Sequence, residues 1–123
     1  MHEFSIASSI VESVLEFAET RGIGKITGVH LAIGELTCVA EEQLRFCFMS
    51  ITKETPIEDS TLTIEQVPAV VRCSHCAYLG PPKYWEDALY LTPVPTLQCP
   101  ECGKAVEAEQ GNDCAIKTIK YVA

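Results

Sequence analysis

The sequence lacks any long apolar run, since no window approaches the ~18 consecutive apolar residues that a membrane-spanning helix needs. The start of the chain shows no basic segment followed by an apolar stretch, so no secretion signal is expected. Positive charge is scarce, with 9 Lys and Arg against 17 Asp and Glu and a formal net charge of −8. Because this balance repels phosphate backbones, we expect no nucleic-acid partner. Without a spanning apolar run, we also expect no membrane association.

Side chains suited to acid–base catalysis near neutral pH are also scarce. The chain has 3 histidines, His2, His30 and His75. We find no nucleophile elbow, no phosphate-binding loop and no paired His–Glu zinc-protease motif. His30 falls on the polar face of a predicted strand, where a solvated side chain is the simplest interpretation. These gaps predict that the chain is not an enzyme.

Cysteine is what the sequence does have. Of 7 cysteines, 4 form two Cys-x-x-Cys pairs, Cys73–Cys76 and Cys99–Cys102, separated by 22 residues. Zn²⁺ takes four thiolates at about 2.3 Å, and a site with all four positions filled is normally structural. Iron in a rubredoxin-like arrangement is the chemical alternative. The spacing therefore predicts structural zinc at Cys73, Cys76, Cys99 and Cys102. His75, inside the first pair, is either a loop residue without a metal role, which is the commoner case, or a replacement for one cysteine ligand.

The other cysteines, Cys38, Cys47 and Cys114, lie in apolar or patterned stretches. Free cysteine often behaves as a small buried hydrophobe, so we expect all three in the core. A disulfide framework is not expected without a secretion signal, which favours the reducing cytoplasm.

Apolar periodicity predicts two helices and three long strands. One helix is expected over 5–20, with Ser5 as N-cap and Gly22 as the stop, and another over 41–53. Alternating residues from Ile26 to Ile33 and from Thr61 to Val67 predict strands, joined as a βαβ unit whose strands run parallel. After a turn at 111–113, residues 114–122 read as a last strand that returns to the first sheet.

The predicted fold class is α+β. It combines a mixed three-stranded sheet and two helices with a small, inserted four-cysteine domain of zinc-ribbon type. The expected domain limits are 1–68 with 110–123 for the α/β domain and 69–109 for the zinc domain.

The N-terminus is a second candidate metal site. A large second residue hinders removal of the initiator methionine, so Met1 should keep a free α-amine one residue before the His2 imidazole. The amine, the backbone nitrogens of Met1–Glu3 and the His2 ring can close small chelate rings on one ion. Nitrogen-rich, planar ligation favours Ni(II) or Cu(II) over Zn²⁺ or Mg²⁺. Glu3 is interpreted as a helix-dipole charge or as an outer carboxylate that orients the ligand.

The order of these parts resembles the HypA/HybF family of nickel metallochaperones for [NiFe]-hydrogenase maturation. The matching features are Met-His-Glu opening a helix, the strand and turn VHLAIGEL at 29–36, the helix start VAEEQLRF at 39–46, and two Cys-x-x-Cys pairs before a C-terminal strand. The resemblance covers essentially the whole chain. The spacer between the pairs is longer than in compact members of the family.

The resemblance implies a nickel domain in which Met1–Glu3 bind Ni(II) and the His2 side chain is essential. It implies zinc on the four paired cysteines. It also implies delivery of Ni(II) to the hydrogenase large-subunit precursor, in cooperation with a hydrogenase maturation GTPase, and leaves open a homodimer. Two other classes remain alternatives: a zinc-ribbon adaptor for proteins or nucleic acid without a nickel role, and a redox or hydrolytic enzyme that uses the cysteine pairs.

Overall fold

The computed structural model describes residues 2–85 and 93–122, with His2 described by its backbone alone. Within these ranges the α-helices are α1, His2–Arg21, and α2, Glu41–Ile51, and a 3₁₀ helix covers Glu35–Thr37. The strands are β1 Lys25–Gly34, β2 Thr61–Val67, β3 Val70–Arg72, β4 Leu79–Gly80, β5 Tyr84–Trp85, β6 Val94–Pro95, β7 Glu107–Gln110 and β8 Cys114–Val122. The chain forms two compact units, 1–32 with 39–65 and 115–123, and 33–38 with 66–114.

The first unit contains both α-helices and a sheet of order β2-β1-β8. Gly28 of β1 lies beside Thr61 of β2 and Lys120 of β8. His30, two residues further, lies beside Glu65. Residue numbers therefore increase in the same direction along β1 and β2, as in a parallel pair of strands. Glu65 also meets Lys117, so β8 runs the opposite way, and the predicted mixed three-stranded sheet is confirmed.

The core of the first unit lies between this sheet and the helices. The apolar stripe of α1 and the inward residues of β1 are buried, as the periodicity predicts. The fully buried side chains include Val14 of α1, Val29 and Leu31 of β1, Leu44 of α2 and Ile57 of the following loop.

Helix α1 ends as predicted but starts earlier. Gly22 has φ +66, the Ile23 N–H bonds the Ala18 carbonyl at 2.8 Å, and the Gly22 N–H bonds the Glu19 carbonyl at 3.3 Å. This pair of bonds is a Schellman stop, which glycine favours because it lacks a Cβ. The predicted cap at Ser5 is wrong, because the helix already begins at His2. The apolar stripe that located this helix carries no information about its polar first turn.

The second unit holds a sheet of order β4-β3-β7 and the separate pair β5-β6. Strand β3 is antiparallel to both β4 and β7, and β5 is antiparallel to β6. Its small core comprises Val71, Cys73, Cys99 and Val106, with Tyr78 packed against it. Two of the four paired cysteines are thus also core residues.

The unpaired cysteines depart from prediction. Cys38 is exposed, and Cys47 and Cys114 are half-buried, so the expected core position is wrong for Cys38. Cys38 has φ 55 at the end of the 3₁₀ helix, and this left-handed turn leaves its side chain at the surface. Among the described residues, no helix is both long and apolar enough to cross a membrane.

Candidate metal centres

The four cysteines of the two pairs meet in the second unit. Their sulfur atoms all lie within 4.8 Å of one another. The Cys73 and Cys102 sulfurs are 3.6 Å apart, and those of Cys76 and Cys99 are 3.5 Å apart. A tetrahedron with metal–sulfur bonds of about 2.3 Å has sulfur–sulfur edges of roughly 3.8 Å. The observed separations therefore suit one tetrahedral ion, and zinc fits this donor set.

The first pair sits in a tight turn that is closed by a backbone hydrogen bond. The Cys73 N–H donates to the Tyr78 carbonyl at 2.9 Å. The backbone N–H groups of Cys76 and His75 point at the Cys73 sulfur, which lowers the pKa of that thiol. Ala77, just after the second cysteine, has φ 62. His75 is exposed, and its side chain is not part of the four-sulfur cluster.

The second pair repeats this geometry. The Cys99 N–H donates to the Lys104 carbonyl at 2.7 Å, and the N–H groups of Glu101 and Cys102 both lie 3.4 Å from the Cys99 sulfur. Gly103 has φ 78 and corresponds to Ala77 of the first turn. Each turn thus buries one sulfur under two N–H dipoles and leaves the other sulfur at the surface.

The thiols of Cys73, Cys76, Cys99 and Cys102 lie so close together that ionisation of one opposes ionisation of its neighbours. Desolvation is the largest influence on Cys99 and opposes its ionisation, but the N–H groups of Cys102 and Glu101 outweigh it and lower the pKa of this thiol to about 7. For Cys76, the hydrogen bond from the Tyr78 N–H favours the thiolate, yet desolvation and the neighbouring sulfurs raise the pKa to about 12. A cation at the centre would relieve this repulsion, because metal ions bind the deprotonated form.

The N-terminal candidate is partly described. Met1 and the side chain of His2 lie outside the described residues, but the backbone of His2 is helical. Glu3 lies in the first turn of α1, and its carboxylate accepts a hydrogen bond from the Ala40 N–H at 3.0 Å. The start of α1 is therefore attached to the residue that precedes α2. Sequence reasoning missed this contact, because it joins positions 37 residues apart.

His30 was predicted to be solvated, but its side chain contacts a carboxylate. Its Nε2 atom lies 3.3 Å from the Glu65 carboxylate, with about a third of the side chain exposed. Lys117 lies 3.6 Å from the same carboxylate oxygen. Glu65 therefore forms an ion pair with Lys117 and also contacts His30. Among the described residues, the only grouping of three or more His, Cys, Asp or Glu side chains with metal-binding geometry is the four-cysteine set.

An α+β fold with four cysteine sulfurs within reach of one ion and a first helix that begins at His2 is typical of the class of metal-binding proteins. The family profile described as "Hydrogenase/urease nickel incorporation, metallochaperone, hypA" matches residues 1–121. The chain therefore belongs to the HypA family of nickel-incorporation metallochaperones for hydrogenase maturation.

Comparison with individual proteins supports the same family assignment. The chain is 34% identical over 131 residues to the hydrogenase maturation factor HypA of Methanopyrus kandleri, covering 98% of this chain and 92% of that one. It is 35% identical over 120 residues to HypA of Chlorobaculum parvum, covering 97% of each. Its fold is similar to the solution structure of the Ni metallochaperone HypA from Helicobacter pylori, with a TM-score of 0.68, 24% identity, and 100% and 99% of the two chains covered.

Proposed function

We propose that this protein binds Ni(II) at its N-terminus and delivers it for [NiFe]-hydrogenase maturation, with structural zinc on Cys73, Cys76, Cys99 and Cys102. The observation that carries the nickel assignment is the start of α1 at His2, considered together with the family match. Ni(II) is the cargo of this site, and the zinc is resident.

The helix start matters because the first four N–H groups of an α-helix have no acceptor within the helix. The amide nitrogens of His2 and Glu3 can therefore release their protons to water and bind a metal ion without breaking a helical hydrogen bond. The positive end of the helix dipole also favours the negative charge on a deprotonated amide. The Met1 amine and the His2 imidazole would complete a nitrogen-rich ligand set of the kind that Ni(II) prefers.

Glu3 would support this site without being a ligand. Its carboxylate is held by the Ala40 N–H, which fixes the first turn of α1 relative to the start of α2. A fixed first turn reduces the conformational freedom that the terminal ligands lose when metal binds. We propose this positioning role in place of a purely electrostatic one.

The four cysteines would hold zinc as a closed, structural site. Coordination would link the two turns into one folded unit, so part of the zinc-binding free energy would be folding free energy. With every position filled by sulfur, the ion would have no free position for a substrate. This argues against the enzyme alternative, and the acidic net charge of −8 argues against the nucleic-acid adaptor.

The partners are proposed from family membership. They are a hydrogenase maturation GTPase and the large-subunit precursor that receives Ni(II), and a homodimer stays a prediction. The domain limits 1–68 with 110–123 and 69–109, as nickel and zinc domains, also stay a proposal. So does the cytoplasmic location.

The test is Ni(II) titration of untagged, zinc-loaded protein by calorimetry. The wild-type chain is expected to bind one Ni(II), and the site should disappear in His2→Ala and when two residues are added before Met1. His30→Ala is the matched control, since this histidine contacts Glu65 and should leave nickel affinity unchanged. Undiminished affinity in both N-terminal variants would overturn the proposal.

A further inference from the structure

One apolar groove on the first unit is not used by either metal centre. It has a volume of about 670 Å³ and is lined by Phe4 of α1 together with Glu42, Gln43, Phe46, Cys47 and Ser50 of α2. Phe46 is 71% exposed and Phe4 is 48% exposed. Large aromatic side chains that share one exposed patch commonly mark an interaction site. We call this surface the Phe46 groove.

The groove follows a single stripe of α2. Residues 43, 46, 47 and 50 recur at spacings of three, one and three, which places them on one side of two helical turns. The core of the unit uses a different stripe, which contains Leu44 and Phe48. Helix α2 therefore has one face that is buried and another that presents an aromatic anchor to solvent.

The charge around the groove points to the chemistry of its occupant. Among the described residues that line the groove, Glu42 is the charged one, and none is Lys or Arg. Glu3 precedes Phe4 in α1, with its carboxylate on the Ala40 N–H. Arg45, the residue before Phe46, donates to Glu41 and to the Leu62 carbonyl. Since the whole chain carries −8, a second copy would bring like charges together.

We infer that the Phe46 groove is the docking site for an amphipathic helix of a partner protein, one with an apolar side chain flanked by Lys or Arg. An amphipathic helix binds by laying its apolar face into a hydrophobic groove, and Phe4, Phe46 and Cys47 supply the apolar part of this one. Phe4 lies two residues after His2, so an occupant of the groove stands beside the metal-binding terminus. The inference rests on the proposed nickel delivery and assigns the occupant to the protein that takes part in the transfer.

The test compares Phe46→Ser with Leu97→Ser, because both side chains are exposed apolar residues and only the first lines the groove. The probes are the hydrogenase maturation GTPase and the large-subunit precursor from the same organism, each immobilised for biolayer interferometry. Phe46→Ser is expected to weaken binding to one of them by about tenfold or more, as for a central aromatic anchor. Leu97→Ser should stay within about twofold of wild type. Glu42→Lys should also weaken binding, and added salt should reduce wild-type affinity.

Thiol footprinting gives a second readout on the unaltered, zinc-loaded protein. Cys47 lines the groove, whereas Cys38 is exposed elsewhere. Saturating partner should slow alkylation of Cys47 by iodoacetamide and leave Cys38 unchanged. Equal protection of both thiols, or of neither, would contradict docking in the groove.

The outcomes separate this inference from the nickel assignment. Phe46→Ser should bind Ni(II) like wild type, so loss of partner binding alone supports the groove. If His2→Ala keeps its nickel while Phe46→Ser loses its partner, the nickel assignment fails and the groove stands. Partner binding unchanged in both Phe46→Ser and Glu42→Lys would overturn the inference. A dimer in sedimentation that Phe46→Ser dissociates would also overturn it, because the occupant would then be a second copy.

Discussion

Gly34 and Gly111 approach so closely that a Cβ atom on Gly34 would lie 2.3 Å from the carbonyl carbon of Gly111. Two hydrogen bonds hold the segments at this distance: the Gly34 N–H donates to the Asp113 carbonyl, and the Leu36 N–H donates to the Gly111 carbonyl, both at 2.8 Å. Gly111 is restricted as well, since its φ is +88 and its own Cβ would meet Ala69 at 2.8 Å.

Gly34→Ala is therefore expected to destabilise the protein by roughly 1–3 kcal/mol, because backbone must move to admit the methyl group. Gly24→Ala is the matched control, since nothing lies within 4 Å of its Cβ position. The control should be neutral or stabilising by up to about 1 kcal/mol. Urea unfolding followed by circular dichroism measures both. Equal effects in the two variants would contradict the close approach.

The residue after each Cys-x-x-Cys pair is left-handed, with φ 62 at Ala77 and φ 78 at Gly103. Ala77→Gly should stabilise the zinc-loaded protein by up to about 1 kcal/mol, because it removes a left-handed alanine at about 1–2 kcal/mol and adds a glycine entropy cost of about 0.5–1 kcal/mol. Gly103→Ala should have the reverse sign, although the nearest atom to its Cβ is 3.8 Å away. Thermal unfolding of the pair checks this, and a shift of the same sign in both would contradict it.

Tyr84 connects the β5-β6 pair to the 3₁₀ helix. Its hydroxyl donates to the Glu35 carboxylate at 2.7 Å, and this bond raises the pKa of Tyr84 from 10.0 to about 12. Because the folded state holds the phenol proton more tightly, the bond contributes fully below pH 10 and is lost as the pH rises through about 12. Alkaline absorbance titration should show one phenol ionising late, and Tyr84→Phe should remove that step. Tyr121→Phe is the control that should keep it.

Loss of zinc should affect the second unit selectively. Cys73→Ser removes one of the proposed sulfur ligands, which is also a core residue, so zinc content should fall and the sheet of β3, β4 and β7 should unfold. Both α-helices belong to the first unit, so most of the helical circular dichroism should remain. Cys38→Ser, at an exposed thiol, should retain full zinc. Collapse of the helical signal in Cys73→Ser would show that the units do not fold separately.

The sequence predicts most of what depends on local pattern. Alternation gives β1 and β2, and the Cys-x-x-Cys spacing anticipates a cluster that the fold brings within tetrahedral reach. The periodic stripe of α1 identifies the helix but not its start, because polar residues at a helix terminus are set by tertiary contacts such as Glu3 with Ala40. The predicted core position of Cys38 is wrong because its exposure follows from a left-handed turn, which the apolar pattern does not reveal.

Contacts between distant positions could not be predicted from one sequence. Glu35 accepts hydrogen bonds from the Ala69 N–H, 34 residues away, and from Tyr84, 49 residues away. A lone glutamate in a Gly-Glu-Leu turn gives no sign of either partner. Glycine at 34 and 111 signals turns, but the packing of one backbone against the other appears only in three dimensions.

The cysteine-bearing unit is assembled from two separated stretches, 33–38 and 66–114. A gene fragment that encodes only the second stretch would carry all four clustered cysteines but would lack the Glu35 carboxylate and the Gly34 contact. Recombination between relatives would thus have to exchange the end of β1 together with the cysteine region. A chimaera with a single crossover at Gln66 would therefore separate Gly34 and Glu35 from the residues that they contact in the second stretch.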